Sequence, residues 1–132
     1  MDERAADPFA EARRLQAEAA VEGFDWDDAA GRWDKLYEEI EELRAAETAA
    51  HRQEELGDLL FMVVNLARHL GLDATSALEA ANSKFRRRYG HVRAHLAQLP
   101  PLGDPARLVR MEAYWQESKA LEKKFPAGDS CI

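Results

Sequence analysis

Apolar positions along the chain recur at three- and four-residue intervals, and no stretch shows the strict alternation of a half-buried strand, so the pattern predicts an all-α protein. Five helical segments can be marked from this period and from the residues that punctuate it. Asp7-Pro8 is an N-cap followed by a proline at the first helical position, opening a helix that runs to about Glu22 and stops at Gly23. A loop carrying Phe24 and Trp26 follows. From about Asp28, the residues Trp33, Leu36, Tyr37, Ile40 and Leu43 form one apolar stripe, which is expected to face a core. The third segment, about His51 to Leu70, carries Leu56, Leu59, Leu60, Val63, Ala67 and Leu70 on one side and Phe61 and Met62 on the other. Apolar on nearly all sides, it is expected to be the central, buried helix, with Leu59, Leu60, Val63 and Ala67 in the core. Gly71 ends it. Asp73 can cap a fourth helix containing Leu78, Ala81, Phe85, Tyr89, Val92, Leu96 and Leu99 and closed by Pro100-Pro101. Asp104-Pro105 repeats the opening signal for a fifth helix ending near Lys124.

Between Leu43 and Glu54 there is no Gly or Pro, so local signals alone would let the second and third helices run together. A turn is placed near Glu47-Thr48-Ala49, with Thr48 as the N-cap.

Length and composition then narrow the picture. A chain of 132 residues with 46% hydrophobic content suits one compact helical bundle of four to five helices, its core spanning about residues 7–124 and residues 125–132 forming a tail, mobile from Pro126. A net charge of −7 argues against a nucleic-acid partner bound through a broad basic face. The longest apolar run, Leu59 to Val64, is far too short to span a bilayer, and the N-terminus begins with no apolar run, so no membrane association is expected. The single cysteine, Cys131, excludes an intrachain disulfide and a cysteine metal cluster, which fits a cytoplasmic protein.

The acidic residues carry the chemistry. Glu38, Glu39 and Glu42 share one arc of the second helix with Lys35, opposite Trp33, Leu36 and Ile40; taken alone, such an arc is a solvated face. Glu55 and Asp58, three residues apart, share a face of the third helix, and Asp58 is flanked by Phe61 and Met62, so it is expected to be partly buried. An unpaired buried ion costs several kcal/mol. Such carboxylates need a cation, and four of them exceed what Lys35 can offset. Hard oxygen ligands suit Mg²⁺ or Mn²⁺, and magnesium completes its shell with water and substrate phosphates. A di-iron carboxylate bundle would require Glu-x-x-His pairs, and none of His51, His69, His91 or His95 has a Glu three residues before it.

These residues resemble the MazG nucleoside triphosphate pyrophosphohydrolases, whose pattern is Glu-Glu-x-x-Glu followed by Glu-x-x-Asp on the next helix. It reads here as Glu38-Glu39-Ile40-Glu41-Glu42 and Glu55-Leu56-Gly57-Asp58. The likeness continues through Trp33-Asp34-Lys35, Gly57 to Phe61, Val64 to Gly71, Asn82-Ser83-Lys84-Phe85 and Trp115 with Lys119, covering roughly residues 10 to 120. The resemblance implies a homodimeric helical fold and Mg²⁺ held by Glu39, Glu42, Glu55 and Asp58. It also implies that Glu38 orients or deprotonates the attacking water, and that an NTP is cut at the α–β linkage to give the monophosphate and pyrophosphate. Two departures are visible: the step from Glu42 to Glu55 is short for the family, and the chain has one such domain where some relatives have two.

Lys84, Arg88, His91 and His95 form a cationic ridge on the fourth helix, and the family match favours a triphosphate role for Lys84 and Arg88 over a solvated flank. Lys35 joins them as a substrate-binding residue. Trp115 and Lys119 lie one turn apart, as a core Trp with a lysine passing it or as a base or ribose contact with a phosphate contact. Asn82, at the edge of an apolar stripe, needs a partner from backbone or ligand. Phe24 and Trp26 either close the pocket or simply pack. Rival readings are a narrow relative, such as a dimeric dUTPase or a phosphoribosyl-ATP pyrophosphohydrolase, and a helical interaction module without catalysis.

Overall fold

Side-chain caps fix where each helix begins. In the structure, a computed structural model describing residues 7–125, the Asp7 carboxylate accepts from the Phe9 N–H at 3.1 Å and Pro8 opens α1 (Pro8–Val21). Asp28 accepts from the Gly31 N–H at 2.8 Å to start α2 (Ala29–Ala45), and Thr48 accepts from the His51 N–H at 3.0 Å to start α3 (Ala49–His69). Asp73 accepts from the Ser76 N–H at 2.9 Å ahead of α4 (Ala74–Arg93), and Asp104 from the Ala106 N–H at 2.9 Å ahead of α5 (Pro105–Lys124). Each oxygen satisfies an amide that a helix start leaves without a partner, worth about 1 kcal/mol.

The C-termini of α1 and α3 close alike. Gly23 and Gly71 adopt φ of 93° and 74°, the left-handed region that glycine enters without steric cost. The following amides then turn back, Phe24 N–H to the Ala19 carbonyl at 2.9 Å and Leu72 N–H to the Ala67 carbonyl at 2.8 Å, satisfying carbonyls that would otherwise be orphaned.

All five expected helices are present, and no strand occurs among the described residues. One boundary differs. The fourth helix was expected to carry Leu96 and Leu99, but it ends at Arg93 and residues Leu96–Gln98 form a 3₁₀ turn. The bonds tighten to the i→i+3 type, as in His95 N–H to the Val92 carbonyl at 3.0 Å, and Leu99 is extended at ψ 151°, the region a following proline imposes. The expected tail from Pro126, with Cys131, lies outside the described residues.

The chain divides into two compact units, Met1–Leu78 and Glu79–Ile132, the boundary falling inside α4. In the first unit α3 packs against both α1 and α2, so it is the central helix of that unit. Only Ala46 to Thr48 separate α2 from α3, which therefore fold back on each other as a helical hairpin.

Burial in this unit departs from the apolar pattern in two ways. On α3 the buried residues are Met62, Val64, Asn65 and Leu66, whereas Leu60 and Val63 remain 40% exposed in the single chain and Leu59 and Ala67 are half-buried. In the single chain Leu60 and Val63 depart from the expected core because α1 and α2 cover only part of a helix that is apolar on nearly all sides. On α2, Arg32 and Glu39 are buried, whereas Trp33 and Tyr37 of the apolar stripe are exposed. The helix is thus turned so that part of its acidic arc faces α3.

In the second unit, α4 from Glu79 and α5 are joined by ion pairs and rings. Glu122 accepts from Arg87 at 2.9 Å and from Arg88 at 2.8 Å, His91 meets Glu117 at 2.7 Å, and the His95 and Tyr114 rings stack 4.0 Å apart. The two arginines hold the Glu122 carboxyl down at about 2. Phe85, Tyr89, Val92, Met111 and Trp115 line an open groove of about 680 Å³.

Candidate metal centre and substrate residues

The short turn decides whether the acidic residues meet. Had α2 and α3 formed one helix, Glu42 and Glu55 would stand roughly 20 Å apart. Instead Glu39, Glu42 and Glu55 offer carboxylate oxygens that all lie within 4.8 Å of one another. Glu39 is buried and Glu55 half-buried, and the Oε2 atom of each is out of solvent with no hydrogen-bond partner. A buried carboxylate oxygen is almost always paired in a folded protein, because losing water without a replacement donor costs on the order of 1–3 kcal/mol or more. Two such oxygens beside a third carboxylate are a donor set that could hold a cation.

Electrostatics point the same way. Loss of solvent and then the charges of Glu39 and Glu55 raise the Glu42 carboxyl above its ordinary value, against the pull of Lys35. Lys35 lies 3.0 Å from Glu38 and 3.2 Å from Glu39, and these bonds, the Glu38 bond first, raise its own pKa. One ammonium therefore serves two carboxylates and leaves the inner oxygens unserved. Glu38 is exposed at the rim, beside the buried Glu39.

Asp58 is placed differently from the expectation. It is exposed, not partly buried, and stands outside the group of three, because Phe61, which was to flank it, is itself at the surface and leaves that side of α3 uncovered. Of the two α3 acids it is Glu55 that turns inward.

The residues expected from the sequence to bind substrate, other than Lys35, belong to the second unit. Asn82 and Lys84 are exposed on α4, with no hydrogen bond drawn to either side chain among the described residues. Arg88 uses Nε and Nη2 on Glu122, and its guanidinium carbon lies 5.8 Å from the Trp115 ring centroid. Trp115 also packs 5.5 Å from Phe85, so it has both a packing role and a face on the groove. Lys119 is half-buried one turn beyond. Of the cationic ridge, Arg88 and His91 already face acids of α5.

A second cluster of buried polar residues escaped the sequence pattern. Arg32 donates from Nε to Asn65 at 2.9 Å, from Nη2 to Asp25 at 3.1 Å and from Nη1 to the Asp28 carbonyl at 3.3 Å. Arg68 donates to the same Asp25 oxygen at 2.9 Å, and Gln16 donates to the Phe61 carbonyl at 2.9 Å. Burial alone would raise the Asp25 carboxyl, but hydrogen bonds from Arg68 and the Trp26 N–H, with the charges of both arginines, hold it below its ordinary value. The network ties α1, the loop, α2 and α3 together. The one available signal was an arginine, Arg32, two turns before Glu39 on the same face.

A helical hairpin that presses glutamates from both arms together and leaves their inner oxygens unpaired defines a carboxylate centre of the class that takes a hard divalent cation. Comparison with known proteins points to a particular family: residues 33–93 match the MazG nucleotide pyrophosphohydrolase domain. It is 42% identical over 116 residues to a nucleoside triphosphate pyrophosphohydrolase of Escherichia coli, covering 84% of this chain and 44% of that protein. It is 37% identical over 108 residues to the nucleoside triphosphate pyrophosphohydrolase/pyrophosphatase MazG of Thermotoga maritima, covering 82% of this chain and 42% of that one. A third relative, the uncharacterized protein YabN of Bacillus subtilis, is 33% identical over 70 residues, covering 53% of this chain and 14% of its own length. The chain thus spans less than half the length of these relatives.

Proposed function

We propose that this chain hydrolyses nucleoside triphosphates at the α–β linkage, releasing pyrophosphate and the nucleoside monophosphate, with Mg²⁺, or Mn²⁺ in its place, as cofactor. The observation that carries the reading is the pair of buried, unpartnered oxygens of Glu39 and Glu55 beside Glu42. Glu39, Glu42 and Glu55 are the ligands the geometry favours, and Asp58, one turn beyond Glu55, is the fourth. A divalent ion held there would supply charge that polarises the phosphate and acidifies water.

The other candidate residues have separable tasks. Glu38, exposed at the rim, takes the proton of the attacking water. Lys35, already poised between Glu38 and Glu39, neutralises phosphate charge as substrate arrives. In the second unit, Lys84 and Lys119 bind phosphate as point charges, and Arg88 does so through Nη1, which makes no hydrogen bond among the described residues. Trp115 faces base or ribose, and Asn82 supplies a polar contact beside it.

The homodimer belongs to the same reading. Leu56, Leu60, Val63 and Leu70 follow one another along one side of α3 and are 40–52% exposed, a stripe that a second copy would cover. No helix among the described residues is long and apolar enough to cross a membrane, and the cytoplasmic nucleotide pool is where this activity would serve.

The test is direct. Incubated with a mixed NTP pool, the protein releases pyrophosphate and monophosphates when Mg²⁺ is present and not when it is chelated. Release of orthophosphate instead, or no Mg²⁺-dependent product, overturns the reading.

A further inference from the structure

The two inward-facing glutamates share a local arrangement that the reading above does not use. Glu39 Oε1 meets Lys35, four residues earlier on α2, and Glu55 Oε1 meets Nε2 of His51, four residues earlier on α3, at 3.1 Å. In both residues it is Oε2 that is buried without a partner. Each helix therefore places a donor one turn before its glutamate, and that donor takes one oxygen and leaves the other for the centre. A carboxylate can only accept, so the His51 ring nitrogen carries the hydrogen of this contact.

His51 is itself held in place. Its backbone N–H is the one that Thr48 caps at 3.0 Å, so the residue is pinned where α3 begins. A continuous set of bonds runs from the turn to the acid cluster: Thr48 to His51, His51 to Glu55. The turn that brings α3 back beside α2 also seats the donor that orients Glu55.

We propose that His51 is a positioning residue, which holds Oε1 of Glu55 so that Oε2 points at the bound cation, as Lys35 does for Glu39. The proposal rests on the cation reading. Donors to the second oxygen of a ligating carboxylate commonly govern metal affinity by 10–100-fold, because they fix its orientation before the ion arrives. His51 is half exposed while the Glu55 side chain is only 14% exposed, so without the imidazole both oxygens of a mostly buried carboxylate would lack a donor.

Two other roles make different predictions. As an ordinary surface pair the contact would be worth little and its loss would not affect the ion. As a stand-in that the ion must displace, its loss would tighten binding. Mn²⁺ affinity of the full chain, read from the electron paramagnetic resonance signal of the free ion, separates these for the parent, His51→Ala and His51→Gln. The glutamine amide donates to Oε1 without imidazole chemistry. We expect His51→Ala to weaken Mn²⁺ binding by about tenfold, His51→Gln to recover most of that, and both to remain folded in chelator. Unchanged or tighter binding by His51→Ala overturns the proposal, and so does a loss that glutamine fails to recover. A parent that binds no Mn²⁺ removes the cation reading itself, an outcome distinct from a parent and a His51→Ala variant that bind equally well.

Discussion

Seven residues apart on α2, Arg32 and Glu39 are almost equally buried, at 4% and 6% exposure, and the fold treats them in opposite ways. Arg32 has a partner for each nitrogen: a carboxylate, a side-chain amide and a backbone carbonyl. Glu39 has Lys35 on one oxygen and nothing on the other. Desolvating a charge costs several kcal/mol whichever sign it has. The difference teaches that burial of charge is not itself a sign of chemistry. The arginine network is closed and holds the helices in place, while the glutamate centre keeps buried oxygens that no donor serves.

Breaking the closed cluster should cost the most. Arg32→Met strands Asn65 and removes one of the two arginines from Asp25, and we expect a loss of about 3 kcal/mol in urea unfolding. Glu39→Gln, at the same depth, should leave the metal-free protein as stable as the parent or more so, since it removes a repelled charge. Equal losses in the two variants would erase the distinction.

Within the open cluster, the tasks of neighbouring glutamates should separate, because they point about 100° apart on the helix. Glu38→Gln is expected to lower kcat by roughly a hundredfold or more while leaving Mg²⁺ and nucleotide binding nearly intact. Glu39→Gln should weaken metal affinity as well. Titration of both with Mg²⁺ and a non-hydrolysable NTP, alongside turnover, reads the two effects; the reverse pattern exchanges the roles.

A smaller effect follows from mass action. Mg²⁺ at a hundred times its dissociation constant should stabilise the folded chain by about 2.7 kcal/mol, visible as a raised melting temperature. Asp58→Asn should reduce the rise, and Glu55→Gln should reduce it further. A full response in Glu55→Gln would place the ion elsewhere.

The smallest effect concerns Glu122, whose charge in the second unit is satisfied, like that of Arg32, but at the surface. Its carboxyl lies at about 2 in the folded chain against an ordinary 4.5, so its contribution is present above 4.5 and is lost as pH falls from there toward 2. Melting curves at pH 6 and pH 3 should show a slightly shallower acid loss for Glu122→Gln. An identical loss would show that the Arg87 and Arg88 pairs contribute nothing measurable.

Much of this architecture was legible in the chain. Asp7, Asp28, Thr48 and Asp104 announce helix starts because an oxygen one step before a helix has an amide to accept from, and Gly23 and Gly71 announce stops because their φ values are positive. Even the turn at Thr48, with no glycine or proline near it, could be placed from its capping hydroxyl. What the pattern concealed was the rotation of α2. Its apolar stripe, with Trp33 and Tyr37, looked like the core face, but Arg32 and Glu39 are the buried residues, and polar side chains advertise surface until their partners are known. Asn65, Gln16 and Arg68 were hidden for the same reason, their partners lying 33 to 52 residues away. Asp58 was misjudged because nothing local reveals that the side of α3 near Phe61 stays uncovered.

The brevity of the segment from Ala46 to Thr48 also bears on chain entropy. Glu42 and Glu55 are separated by 55 − 42 = 13 residues, whereas Gln16 meets Phe61 across 45 and Arg68 meets Asp25 across 43. Closing a short loop loses less chain entropy than closing a long one. Bringing the glutamates together in the hairpin therefore costs less chain entropy than joining α1 and the loop to it through the arginine network.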